Sequence, residues 1–222
     1  MTSHQWSFSE LYDTLYAQYG PQGWWPADEA FEMMIGAILI QHTAWSNAAK
    51  AIGNLRAAGL LAPEPIANMT TDRLARLIQP AGVFNVKAKR VACFVRWYLT
   101  NGGFDALSEL STPVLRAALL SVHGVGPETA DDILVYAFNR PVFVVDAYTR
   151  RLLRRYGLLT GREPYAEIRA LVEAAMPADP EVLGEFHALV VEHGKMACRS
   201  TPTCERCCLQ RDCARVDRKS VV

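Results

Sequence analysis

Only one stretch of this chain reads as strand. Pro141-Val142-Phe143-Val144-Val145 is apolar and rich in β-branched residues, but a single short run without a partner cannot make a stable sheet. An extended, buried connector is therefore expected there. Elsewhere the apolar residues recur at helical spacing, as Phe8, Leu11, Tyr12 and Leu15 do over 8–18. Helices are predicted over 28–42, 45–58, 72–79 with Thr71 as cap, from Asn85 to Asn101-Gly102-Gly103, from Asp146 to Tyr156, and over 164–175 and 181–193. Pro63 and Pro65 mark a loop. The predicted class is all-α.

A chain of 222 residues can bury a proper core in one large domain or two lobes. Half of its residues are hydrophobic and 21% are charged, as in a globular protein. The longest uncharged apolar run, Met33 to Ile40, is too short to cross a bilayer. Met1-Thr2-Ser3-His4 does not begin a secretory signal, so a cytoplasmic location and no membrane partner are expected. A net charge of zero gives no support to non-specific nucleic-acid binding. Local charge is less even: Arg150, Arg151, Arg154 and Arg155 crowd one segment, and Arg199, Arg206, Arg211, Arg215, Arg218 and Lys219 follow near the end. Either a basic binding face or an ordinary solvated surface fits them.

Two helical patterns flank Val122-His123-Gly124-Val125-Gly126. The first opens at Ser111-Thr112-Pro113, with a proline expected at the first helical position, and the second runs from Pro127 towards Phe138. The two glycines suit a tight turn with positive φ and leave backbone N–H groups open to an anion, although an ordinary αα-turn would look the same. Asp131 and Asp132, in the second helix, read as surface or hydrogen-bonding residues. Asp146 follows the extended run and precedes a helix, the usual place of an N-cap. Trp24, Trp25 and Trp45 suit either a core or a stacking surface.

Five of the six cysteines lie between 198 and 213, a crowding that in a chain without a secretory signal suits a metal site better than disulfides. Cys198-x5-Cys204-x2-Cys207-x5-Cys213 offers four thiolates to a zinc ion or to a [4Fe–4S] cluster, with Cys208 as an extra thiol.

Together these residues resemble the helix-hairpin-helix (HhH-GPD) DNA glycosylases of the endonuclease III superfamily. Val122-His123-Gly124-Val125-Gly126 matches the family's hairpin, and Val144-Val145-Asp146-Ala147-Tyr148-Thr149-Arg150 lies about twenty residues downstream, as in the family. Gln41-His42-Thr43, Gly82-Val83-Phe84-Asn85-Val86-Lys87-Ala88 and His193-Gly194 before Cys198 match further family segments, and the resemblance spans residues 28 to 213. Trp24-Trp25-Pro26, with Trp45 after the Gln-x-Thr motif, looks closest to the 3-methyladenine branch.

What the resemblance implies is specific. Asp146 would be the catalytic carboxylate. Trp24, Trp25, Pro26 and Trp45 would form the base pocket, whose electron-rich faces attract a cationic alkylated purine. Gln41 would fill the space left by an extruded base and Val83 would act as a wedge, while His42, Asn85, Lys87, His123, Gly124 and Gly126 would contact DNA. Cys198, Cys204, Cys207 and Cys213 would hold a [4Fe–4S] cluster, and a K⁺ or Na⁺ ion would sit at the hairpin turn. Bifunctional members carry a Schiff-base lysine where this chain has Glu128, so hydrolysis without strand cleavage is expected.

The expected architecture is two-lobed. A helical domain covers 24–139, with the helix-hairpin-helix at about 113–138, and 1–23 plus 140–222 form the cluster domain. The cleft is expected between them, in a monomer acting on double-stranded DNA that contains a damaged base. Two other functions remain open: an endonuclease III for oxidised pyrimidines, and a non-catalytic DNA-structure binder.

Overall fold

The computed structural model describes residues 7–211, 213 and 214, and among these it contains helices and loops with no strand, in keeping with the all-α class. Arg215, Arg218 and Lys219 lie outside the described residues. The described helices are α1 (Phe8–Tyr19), α2 (Ala30–Leu39), α3 (Trp45–Ala57), α4 (Pro63–Ala67), α5 (Thr71–Leu77), α6 (Phe84–Thr100), α7 (Gly103–Ser108), α8 (Thr112–Leu120), α9 (Pro127–Asp132), α10 (Ala147–Tyr156), α11 (Tyr165–Ala175) and α12 (Pro180–Met196). None of them is long and apolar enough to cross a membrane.

Several local expectations are corrected. Pro63 and Pro65 begin a short helix rather than marking a loop, because the first turn has no intrahelical N–H bonds for proline to remove. The cap of α5 is Thr70, whose hydroxyl accepts from the Arg73 amide at 3.3 Å, and Thr71 is the first helical residue. Pro113 is the second residue of α8, after Thr112. Helix α7 was not anticipated by the spacing, and the second hairpin helix keeps α geometry only to Asp132 before a π-turn over Ile133–Ala137.

By internal contacts the chain divides into two compact units, Met1–Trp24 with Pro141–Val222, and Trp25–Arg140. In the first, α12 packs against α1 and α10, and α1 also meets α11. Its core gathers Leu11 and Leu15 of α1, Leu152 and Leu153 of α10, and Phe186 and Leu189 of α12 around Phe143 and Val145. That packing explains the lone strand-like run: Val142 to Val145 are all at most 4% exposed while making no ladder. Each such large side chain contributes about 1.5–3 kcal/mol on burial.

In the second unit α6 packs on α4 and α5, and α2 packs on α3 and on the π-turn. The hairpin is braced across its two helices. Arg116 of α8 donates from Nε and Nη2 to the two carboxylate oxygens of Asp131 of α9, at 2.7 and 3.0 Å. Asp131 is fully buried and Asp132 nearly so, and of the two roles expected, surface or hydrogen-bonding, Asp131 takes the second.

Candidate active site and cysteine hollow

Asp146 stands where the buried connector ends. Its backbone is extended, and its Oδ1 accepts from the Thr149 amide at 2.7 Å, capping α10. Its Oδ2 lies 3.8 Å from Nε2 of His187 on α12, a contact longer than a hydrogen bond, with the two side chains 12% and 5% exposed. Burial by itself would raise the carboxyl's pKa. The His187 imidazole and the Thr149 amide outweigh it and hold Asp146 below the ordinary carboxylate value. The result is a sheltered carboxylate that stays ionised at the positive end of a helix.

His187 also meets the edge of Trp24, with ring centroids 5.8 Å apart at 90°. The Glu185 carboxylate fixes the loop before Trp24 by accepting from the Gln22 and Gly23 amides. Lys195 Nζ lies 5.3 Å from the centroid of the Trp24 ring, so that face already attracts a cation. Gly194, one residue earlier, is needed for packing: a Cβ there would run into the Tyr148 ring, which has Arg151 over it at 4.9 Å. This gives a local reason for the His193-Gly194 pair.

The four residues expected to form one pocket fall in different company. Trp24 belongs to the first unit, and Trp25, Pro26 and Trp45 belong to the second. Trp25 meets Trp45 edge-on at 5.4 Å and Tyr136 of the π-turn at 5.4 Å. Gly36 of α2 makes room, since a Cβ there would lie 3.2 Å from Trp25 Nε1 and 3.6 Å from the Trp45 ring. Pro26 is exposed.

The hairpin differs from expectation at one glycine. Gly124 has φ 90°, as the turn requires, but Gly126 is extended at φ −95° and caps α9 without a side chain. A Cβ at Gly124 would strike the Arg90 side chain, whereas one at Gly126 would meet nothing. His123 and Glu128 are exposed.

Gln41 is engaged inside the second unit. Its Nε2 donates to Gly124 O at 3.0 Å and Thr129 Oγ1 at 2.9 Å, and its Oε1 accepts from Arg90. One carbonyl of the turn, where a K⁺ or Na⁺ ion was expected, thus already has a donor. Lys87 is not at the surface with the other expected DNA contacts. It is 2% exposed, and Nζ donates to Leu39 O and Ala81 O. His42, Val83 and Asn85 are exposed.

The cysteines form no disulfide. Cys198, Cys204, Cys207 and Cys213 line one hollow that opens to solvent, together with Leu152, Arg155, His193 and Leu209. Among the described residues no three His, Cys, Asp or Glu side chains gather as ligands of a single ion. Arg155 donates to Cys198 Sγ at 3.5 Å and to the carbonyls of Arg199 and Ser200, and Arg151 donates to Cys198 O at 2.7 Å. These arginines, for which a basic face and a solvated surface were both open, pin the cysteine loop to α10. Burial keeps the Tyr19 phenol protonated, and its oxygen lies within hydrogen-bond distance of His193 Nδ1, at 2.9 Å. The other ring nitrogen, His193 Nε2, lies 3.6 Å from Cys207 Sγ.

Sequence reasoning missed His187, Tyr136, Arg90 and Thr129. His187 sits in an apolar helical run where nothing separates it from a core histidine, and the other three gain their places only through packing.

Comparison with known proteins adds a family. A family model described as HhH-GPD superfamily base excision DNA repair protein matches residues 35–178. A protein of Methanocaldococcus jannaschii provisionally named a DNA repair glycosylase is 44% identical over 92% of this chain and 94% of its own length. Endonuclease III of Thermotoga maritima is 29% identical over 83% of each chain. Among solved structures, the Helicobacter pylori 3-methyladenine DNA glycosylase bound to 1,N6-ethenoadenine superposes with a TM-score of 0.76 at 27% identity, covering 86% of this chain and 98% of that one.

Proposed function

The chain belongs to the HhH-GPD superfamily of base excision DNA repair proteins and is a base-excision DNA glycosylase, and within that family we propose a monofunctional enzyme for alkylated purines such as 3-methyladenine. Its partner is double-stranded DNA containing the damaged base, which is flipped out of the stack before its glycosidic bond is broken. The observation that carries the reading is Asp146: a sheltered carboxylate held ionised at a helix N-terminus, in a chain with Glu128 where a Schiff-base lysine would stand.

Asp146 stabilises the positive charge that develops on the sugar and orients the attacking water, taking its proton as the bond to the base breaks. N3- or N7-alkylation makes the purine cationic and weakens that bond, so a nucleophilic lysine is not needed. The edge-on Trp25–Trp45 pair, the neighbouring Tyr136, and Trp24 with a cation already on its face support recognition of such a base. The likeness to a 3-methyladenine glycosylase at 27% identity supports the same substrate. His42, Val83, Asn85 and His123, all exposed, would meet the duplex, and Gly126, where no side chain or neighbour intervenes, would let a phosphate approach the backbone.

Cys198, Cys204, Cys207 and Cys213 would hold a [4Fe–4S] cluster. Four thiols lining one hollow suit such a cluster, which takes four thiolate ligands. When bound, such a cluster staples the loop and is capable of electron transfer. Arg155 would donate towards the Cys198 thiolate that holds it, and His193 Nε2 would stand beside the Cys207 thiolate.

The similarity to several endonucleases III favours a second reading, excision of oxidised pyrimidines. A lesion-panel assay scored separately for free base and strand cleavage, with borohydride trapping on abasic DNA, decides between them. Release of 3-methyladenine without a covalent adduct is expected. Release of thymine glycol alone overturns the substrate, a trapped adduct overturns the monofunctional mechanism, and DNA binding without any base release overturns catalysis.

A further inference from the structure

Lys87 is a buried cation, an arrangement that costs stability unless hydrogen-bond partners satisfy the charge. Burial, then the nearby Arg90, lowers its pKa below the ordinary lysine value. What satisfies it is a pair of carbonyls, Leu39 O at 2.9 Å and Ala81 O at 2.7 Å. Both stand at helix ends. Leu39 is the last residue of α2, and Ala81 is the last of a 3₁₀ turn over Gln79–Ala81. Carbonyls there lack intrahelical donors and carry the negative end of the helix dipole, which suits an ammonium.

Each of these helix ends is followed within three residues by an exposed non-glycine residue at positive φ. Past Leu39 comes His42 at φ 55°, and past Ala81 comes Val83 at φ 43°. Val83 is 66% exposed, and a β-branched residue in that region is strained. Such a conformation persists only where its surroundings overdetermine it. Lys87 contributes twice, since its own amide donates to Val83 O at 3.1 Å while its ammonium holds Ala81 O. One side chain thus ties together the roots of the two loops.

We propose that Lys87 is a positioning residue that sets the separation of His42 and Val83, so that both tips enter the duplex as one rigid pair around the extruded base. This rests on the reading of the chain as a base-flipping glycosylase, and Lys87 itself touches no DNA in it. The charge lies inside the protein because its task is to hold two backbones, which a mobile surface lysine could not do.

The test uses the full chain with Lys87→Met, which keeps the stem and removes the ammonium, and Lys87→Gln, which keeps a donor on a shorter stem. Spin labels carried by non-canonical amino acids at positions 42 and 83 report the distance between the tips. The parent protein should give one narrow distribution, the same free and bound to a duplex with an abasic-site analogue. The folded variants should give a broadened or shifted one. On a 3-methyladenine duplex the variants should lose about 100-fold in kcat with much less change in KM, as expected when reacting groups are misplaced rather than binding lost. The 2-aminopurine signal opposite the lesion should fall with kcat. A distribution in the variants that matches the parent's overturns the proposal. So does a broad or DNA-dependent distribution in the parent, a measurement that needs no variant to fold. If the parent releases no base while the distances behave as expected, the glycosylase reading fails and the brace stands.

Discussion

His187 Nε2 lies 3.8 Å from Asp146 Oδ2, and the two side chains are 5% and 12% exposed. Asp146 is depressed below the ordinary carboxylate value, so its ionised form persists to lower pH than an unfolded aspartate's. The stability this contributes is present above the unfolded pKa of about 3.9 and is lost as pH falls through the folded value. Single-turnover excision should therefore keep its rate on acidification until below that range. In His187→Gln the opposing effect of burial gains weight, and the acid limb should move up in pH. An unmoved limb would mean that His187 does not hold the charge.

Asp146→Asn separates capping from catalysis. Asparagine caps a helix about as well as aspartate, so the bond to the Thr149 amide survives and the melting temperature should barely move. Excision should fall by about 100-fold or more. Gel-shift binding to an abasic-site analogue should persist.

The brace inside the hairpin should be costly to break. Arg116→Met leaves the fully buried Asp131 carboxylate without its bidentate partner. A loss of about 3–5 kcal/mol is expected from urea unfolding. A change below about 1 kcal/mol, the range of exposed pairs, would show that the pair works as a surface bridge.

Gly194→Ala tests a packing need. The added methyl meets the Tyr148 ring, with the Tyr148 Cβ 3.2 Å away, so the ring two residues beyond Asp146 must shift. Destabilisation of about 1–3 kcal/mol is expected by thermal unfolding, together with slower excision. Full stability and activity would show that the ring moves without consequence.

For the cluster, the purified protein should be brown and contain iron and acid-labile sulfide. Cys207→Ser should lose the colour while Cys208→Ser keeps it, since Cys207 and not Cys208 lines the hollow. A colourless protein containing zinc would replace the iron–sulfur assignment.

Much of this could be read from the chain itself, because it rests on local rules. Apolar spacing indicated the helices other than α4 and α7, a lone Val-rich run excluded a sheet, and an aspartate before a helix announced the Asp146 cap. The motifs around Gly124, Asp146 and the cysteines carried the family, which residues 35–178 then matched. Errors of a residue or two at caps and prolines, as at Thr70 and Pro63, reflect first-turn geometry that tolerates several residue types.

Tertiary structure decided which polar groups face inward, since that depends on residues far apart in sequence. Lys87 looked like a DNA contact until the ends of α2 and of the 3₁₀ turn supplied two carbonyls for it. Gln41 is held by Gly124, Thr129 and Arg90, and Arg155 serves the cysteine loop rather than a basic face. His187 has no local signature, and only the packing of α12 against α10 brings it to Asp146. A sequence shows which side chains are charged, but only the fold determines which of them find partners that make burial tolerable.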